Sequence, residues 1–257
     1  MLSAYDQDNN YVLAIEARRD DGPFYCPECR GELILKAGRV KIAHFAHQAY
    51  SACSYADELE SKEHIEAKLE IYEALRVQPS VEKLQVERYL KEVRPDVSFY
   101  YDGSYIAIEI QISPITLDEI IRRTTAYTRK NIYVLWTPIL SLDMFSGRYA
   151  PKDFERNLYR LYDEMVYYWS KDLDLVPTEF EEYTLVGGRY SSWKEKPSKR
   201  FVTPRMSPTV SILELSPLKQ PRQYPFPAAR LWGLPFGDDD DETRRNWSIE
   251  MVYRKPR

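Results

Sequence analysis

The sequence predicts an α/β (α+β) fold, a mixed sheet flanked by helices and preceded by a small β module. Three observations lead there. Every cysteine of the chain falls between residues 26 and 53. A helix, three strand-like runs, a second helix and a further strand then follow in order. Two of those runs meet at Asp102-Gly103, a strong hairpin signal.

Residues 3–18 read as two short strands around the Asp8-Asn9-Asn10 turn, because Tyr11, Leu13 and Ile15 alternate with smaller or polar neighbours. The knuckle Cys26-Pro27-Glu28-Cys29 comes next, then a β-like run from Glu32 to Lys36, a turn at Gly38-Arg39, His44-Phe45-Ala46-His47, and Cys53. From Asp57 to Arg76 the apolar Ile65, Leu69, Tyr72 and Leu75 recur at helical spacing without Gly or Pro. Strands are predicted around Val81–Leu90, Val93–Tyr101 and Tyr105–Ile112, a helix over Thr116–Arg129, and a strand over Asn131–Thr137. Residues 151–176 read as an aromatic-rich helix, and 195–245, dense in proline and carrying the acidic run at 238–242, as loop. The expected division is a module over 1–56, a domain over 57–145, and a helical and loop-rich region over 146–257.

With 257 residues, 44% of them hydrophobic, the chain can bury a sizeable core. Its formal net charge of -4 excludes a protein that coats nucleic acid nonspecifically, which needs a large basic surplus. A local basic surface is still permitted. Met1–Asp20 holds no apolar run of signal length, and no segment reaches the roughly 20 apolar residues of a membrane span. The three cysteines cannot all pair within one chain. These features predict a cytoplasmic protein without a membrane partner, whose cysteines are reduced thiols or metal ligands.

The Cys26-x2-Cys29 spacing lets two thiolates leave one turn and reach a single tetrahedral ion. His44, His47 and Cys53 follow closely, giving five candidates for four positions. Cys26, Cys29 and Cys53 with either histidine would make a Cys3His site for structural zinc, since so short a stretch has too few apolar residues to fold unaided.

If Asp102-Gly103 is a two-residue turn, Asp96 lies opposite Glu109 on the hairpin, and the period of two adds Gln111 to the same face. The isoleucines at 106, 108, 110 and 112 then supply a buried opposite face. Two facing carboxylates repel unless a cation bridges them, so Mg²⁺ or Mn²⁺ bound by Asp96 and Glu109 is the expected catalytic cofactor, suited to phosphodiester hydrolysis. Glu60, His64 and Lys68 recur every four residues on the preceding helix and could border that site. Arg122, Arg123, Arg129 and Lys130 on the next helix could meet the phosphates of a DNA strand beside it.

The order of these motifs resembles the CoiA-type competence protein family. The match runs through Cys-x2-Cys, His-Phe-Ala-His and Cys, then Glu63-His64 with Lys68, Arg94-Pro95-Asp96, Ile108-Glu109-Ile110-Gln111 and Ser113-Pro114-Ile115. Arg123, Tyr127 and Val134-Leu135-Trp136 extend it to about residue 140. The resemblance implies a restriction-endonuclease-like fold of the PD-(D/E)xK superfamily and a CoiA-like nuclease acting on DNA in transformation or recombination. Antiphage defence is open to the same chemistry. Its PD motif would be Pro95-Asp96 and its (D/E)xK motif Glu109-Ile110-Gln111, with glutamine in the place of lysine. Neutral glutamine can hydrogen-bond the attacking water but not help deprotonate it, and Lys68 or His64 would supply the missing group. The alternative is a catalytically degenerate DNA-binding accessory protein that acts through a recombinase or other partner.

Overall fold

A computed structural model describes residues 1–38, 41–48, 53, 60–187 and 195–235. The chain opens with a five-stranded antiparallel sheet of β1 (Ser3–Tyr5), β2 (Tyr11–Leu13), β3 (Phe24–Tyr25), β4 (Glu32–Lys36) and β5 (His44–His47), ordered β2-β1-β3-β4-β5. The turn between β1 and β2 is closed by the Asp6 carboxylate, which accepts the Asp8 and Asn10 amides at 2.9 and 2.8 Å. Strand β4 forms where a β-like run is predicted and alternates, with Leu33 and Leu35 buried and their neighbours exposed. Phe24, Leu33, Leu35, Phe45 and Cys26 make a core of modest size. Arg39 of the expected turn lies outside the described residues, as do 57–59 of the expected helix start and the acidic run at 238–242.

Helix α1 (Lys62–Arg76) starts where the Ser61 hydroxyl accepts the His64 amide at 3.2 Å. It is followed by β6 (Glu82–Val86), β7 (Val97–Tyr101), β8 (Ser104–Gln111), α2 (Leu117–Arg129) and β9 (Tyr133–Pro138). The β7–β8 hairpin has the expected register: Tyr101 faces Ser104 and Val97 faces Ile108. One expectation fails here. Strand β8 is buried on both faces, because its parallel partner β9 requires a crossover, and that crossover, α2, covers the face carrying Glu109.

The C-terminal region departs furthest from the sequence reading. Helix α3 (Asp153–Leu161) ends early, and residues 166–171 form β10 (Val166–Lys171) rather than helix. Then come β11 (Asp174–Leu185), β12 (Lys196–Met206) and the short β13 (Val210–Ser211), which join β10 in a second antiparallel sheet. The predicted loop over 195–245 is largely strand through residue 233. The last two strands, β14 (Ser216–Gln220) and β15 (Ala229–Gly233), return to the main sheet, whose order is β14-β15-β9-β8-β7-β6. The expected boundary at 145 is therefore crossed by one sheet and one core, in which Leu231 and Trp232 pack with Tyr133 and Val134. No helix among the described residues is long and apolar enough to cross a membrane.

The N-terminal sheet is fastened to this core. Leu2, Leu13 and Val86 cluster with Ile65, Leu69 and Tyr72. The Tyr11 hydroxyl both donates to the Val86 carbonyl and accepts its amide, each at 2.7 Å.

Candidate metal centres and the acidic cleft

Four of the five candidate ligands of the N-terminal module converge. Cys26, Cys29, His47 and Cys53 place their ligand atoms within 4.8 Å of one another. Cys26 Sγ is 3.8 Å from Cys53 Sγ, and Cys29 Sγ is 3.4 Å from His47 Nε2. Those separations match the edges of a tetrahedron about an ion with bonds of about 2.3 Å to sulfur and 2.0 Å to nitrogen. The knuckle sequence produces the local geometry. Arg30 takes φ 60, and the Glu28 and Gly31 amides donate to Cys26 and Cys29 Sγ at 3.4 and 3.3 Å. A Cβ at Gly31 would crowd Cys29 Sγ at 3.2 Å, so glycine leaves the sulfur its place. His44 turns away, its Nδ1 2.9 Å from the Ile42 carbonyl, so the choice left open by the sequence falls on His47. Burial lowers the His47 pKa, which keeps the ring neutral as a ligand must be.

The second cluster stands at the end of the β7–β8 hairpin. Glu60, His64 and Asp96 also have ligand atoms within 4.8 Å of one another. The Ser61 cap sets His64 in the first turn of α1, where Nδ1 lies 3.2 Å from Glu60 Oε1 and Nε2 3.1 Å from Asp96 Oδ2. Asp96 Oδ2 also accepts the Ile110 amide at 2.8 Å, which fixes the carboxylate to the neighbouring strand. Burial works against a charged imidazole, but the Asp96 charge and bonds to Asp96 and Glu60 overcome it and raise the His64 pKa to about 10. Burial likewise works against the Asp96 carboxylate, and His64 and Lys68 hold it down at about 2.

One turn along α1, Lys68 is fully buried and bonds to Glu60, to Glu87 at 2.7 Å, and approaches Asp96 to 3.8 Å. These three carboxylates outweigh burial and keep its ammonium charged. Glu87 is the residue the sequence analysis missed. It is buried, held ionised against desolvation chiefly by Lys68, and accepts the Leu2 amide at 2.7 Å, so the N-terminal module touches the acidic cluster through it. No local signal marks it, since it sits just past β6 with no motif around it.

Glu109 lies beside Asp96 as the register requires, yet it does not join the ligand set. Its carboxylate is taken by Arg123 and Tyr127 of α2. Burial, reinforced by the Asp96 charge, lifts its pKa to about 7 against the pull of Arg123. The ligand atoms that converge with Asp96 are those of Glu60 and His64. Gln111 bonds to the Ser113 carbonyl at the wall of a cleft of about 350 Å³, which is also lined by Glu60, His64, Asp96, Arg122 and Arg123. Arg122 pairs with Glu119 through two bonds of 2.7 Å. Arg129 and Lys130, expected beside the site, do not line the cleft, because they occupy the far end of α2.

Comparison with known proteins follows the same division of the chain. Residues 7–56 match the family model of the competence protein CoiA, N-terminal domain, and residues 60–159 that of the competence protein CoiA, nuclease-like domain. The competence protein CoiA of Bacillus subtilis (strain 168) is 35% identical over 115 residues, a stretch covering 44% of this chain and 30% of that protein. No solved structure matches.

Proposed function

The chain belongs to the CoiA competence-protein family, and from that premise we propose that it is a divalent-metal-dependent DNA nuclease with a PD-(D/E)xK-type core. It would serve DNA processing in competence and recombination, or antiphage defence. The observation that carries this reading is the cleft in which Glu60, His64 and Asp96 converge beside Arg122 and Arg123, with a buried lysine behind them.

The two carboxylates fit Mn²⁺ or Mg²⁺, hard cations that favour oxygen ligands, and the imidazole tilts the set toward Mn²⁺. Glu60, His64 and Asp96 would hold such an ion, whose chemistry there would be positive charge beside the scissile phosphate and a lowered water pKa. Asp96, anchored by the Ile110 amide, and Glu60, anchored by Lys68, are set in place before any ligand arrives. His64 must release a proton to ligate. Glu109 is buried and held by Arg123 and Tyr127 without lining the cleft, whereas Gln111 does line it and can hydrogen-bond the attacking water. Arg122 and Arg123 would meet the phosphates. The Cys3His cluster has four protein ligands and no open position, which suits structural zinc.

A second reading is a DNA-binding accessory protein with a degenerate site, working through a recombinase or other partner. It is favoured by Gln111 and by the engagement of Glu109 with Arg123 and Tyr127. Incubating the wild type, Asp96→Ala and Glu109→Ala with labelled single-stranded, duplex and branched DNA, with and without Mn²⁺, separates the two. Cutting that needs both Mn²⁺ and Asp96 supports the nuclease. Undiminished cutting by Asp96→Ala removes the basis for this site, and DNA binding by the wild type without any cutting selects the accessory role.

A further inference from the structure

The cations of the cleft continue beyond it. Lys152, just ahead of α3, donates Nζ to the Ile112 carbonyl at 3.4 Å, on the wall formed by Gln111 and Ser113. One turn further, Arg156 donates Nη2 to the Arg200 carbonyl of β12 at 2.8 Å. Arg148 places its guanidinium 3.9 Å from the centre of the Phe201 ring and 5.8 Å from that of Tyr183. Arg200 lies 5.6 Å from Phe201. Tyr183 and Phe201 meet across β11 and β12 with ring centres 6.2 Å apart. Both lie where the β11–β12 register shifts, between the pairs Glu182–Val202 and Thr184–Pro197, and both are half-exposed, whereas Phe180 and Val202 pack with Tyr149 and Tyr168.

Arg148, Lys152, Lys199 and Arg200 are all exposed. Arg205 on the same strand is occupied by Glu181 and Glu179, at 3.3 and 4.0 Å. Among the described residues, no carboxylate comes within salt-bridge reach of the other four. Four cations with no acidic partner, two of which (Arg148 and Arg200) stack on the half-exposed Phe201, form a surface with two complementary needs: negative charge and flat apolar faces. An unpaired nucleic-acid strand meets both, whereas a duplex hides its base faces.

We infer that the surface at the β11–β12 register shift, with Arg148 and Lys152, grips single-stranded DNA and leads it to the acidic cleft. Bases stack on Phe201 and Tyr183, and phosphates meet Arg148, Lys199 and Arg200. The inference rests on the DNA reading of the cleft for the identity of the polymer, but not on cleavage.

The test is fluorescence anisotropy with labelled oligothymidine and a matching duplex, without added Mn²⁺ so that cleavage does not intervene. Phe201→Ala is expected to weaken single-strand binding about ten-fold or more, the loss of one stacked base, with a much smaller effect on the duplex. Arg148→Glu should weaken it as well and reduce the salt slope by about one. Arg205→Ala should match the wild type. Phe201→Leu, which keeps an apolar side chain but no ring, guards against a folding defect and should lose binding with an unchanged melting curve. If Phe201→Leu and Arg148→Glu both bind within about two-fold of the wild type, or the wild type does not bind oligothymidine, the grip is overturned. If no Mn²⁺-dependent cutting is found but these variants still lose binding, the grip stands and the nuclease reading alone falls.

Discussion

Replacing Lys68 with methionine would keep the aliphatic stem and delete one buried charge. The Lys68 side chain has no exposure and the Glu87 side chain 2%, and they are 2.7 Å apart. Without the ammonium, Glu87 keeps the Leu2 amide at 2.7 Å and Arg94 at 3.9 Å, while Glu60 and Asp96 still share His64. Removing one partner of a buried pair costs about 3–5 kcal/mol, most of it from the charge left behind. The pH dependence carries a sign that separates this cause from lost packing. In the wild type Glu87 and Asp96 are depressed, so their contribution is complete above the ordinary carboxylate range and is lost as pH falls, for Asp96 through about 2. In Lys68→Met, burial of Glu87 is much less opposed, its folded pKa rises, and stability is lost as pH rises through that value. The deficit should therefore be about 3–5 kcal/mol at neutral pH and shrink toward pH 5. Urea unfolding followed by tryptophan fluorescence at the two pH values measures it, and Lys68→Met/Glu87→Gln should recover much of the loss. A deficit under about 1 kcal/mol at neutral pH, or one of equal size at both, would refute the reasoning.

Other outcomes follow from the two ligand clusters. Purified protein should release one zinc per chain to a chromogenic chelator, with His47→Ala losing the metal and His44→Ala retaining it; the reverse pattern would reassign the ligand. Mn²⁺ affinity at the cleft, read by electron paramagnetic resonance, should rise about ten-fold per pH unit between roughly pH 6 and 9, because the ion displaces the proton that His64 holds up to about pH 10. A flat profile would remove His64 from the ligand set. Arg123→Ala leaves the buried Glu109 with Tyr127 as its donor; because the Glu109 pKa already stands at about 7, the carboxyl takes up a proton, so the electrostatic loss should be under about 1 kcal/mol at pH 7, grow by about 1.4 kcal/mol per unit as pH rises above it, and vanish in acid.

The parts of this molecule that were legible in the sequence are those fixed by short-range chemistry. Asp102 and Gly103, at φ 45 and 69, dictate the hairpin register, and with it the placement of Asp96 beside Glu109. The cysteine spacing dictates the Cys3His cluster, although choosing His47 needed the fold of β5. Long-range partners were not legible. Glu87 meets Lys68 only because β6 ends beside α1, and Glu109 is claimed by Arg123 and Tyr127 only because α2 crosses over it. The aromatic run at 166–169 is as compatible with helix as with strand until β11 pairs with it. The prolines misled for a similar reason. Pro177 stands in the middle strand of the second sheet, but its carbonyl accepts from Ser207, just past the end of β12, so the amide it lacks would fall where that ladder ends.

Crystals grown with Mn²⁺, measured at the manganese absorption edge, would test the central assignment most directly. The account predicts an anomalous peak bounded by Glu60, His64 and Asp96, absent from Asp96→Ala. A peak between Asp96 and Glu109 that leaves His64 free, or no peak in the cleft at all, would contradict it.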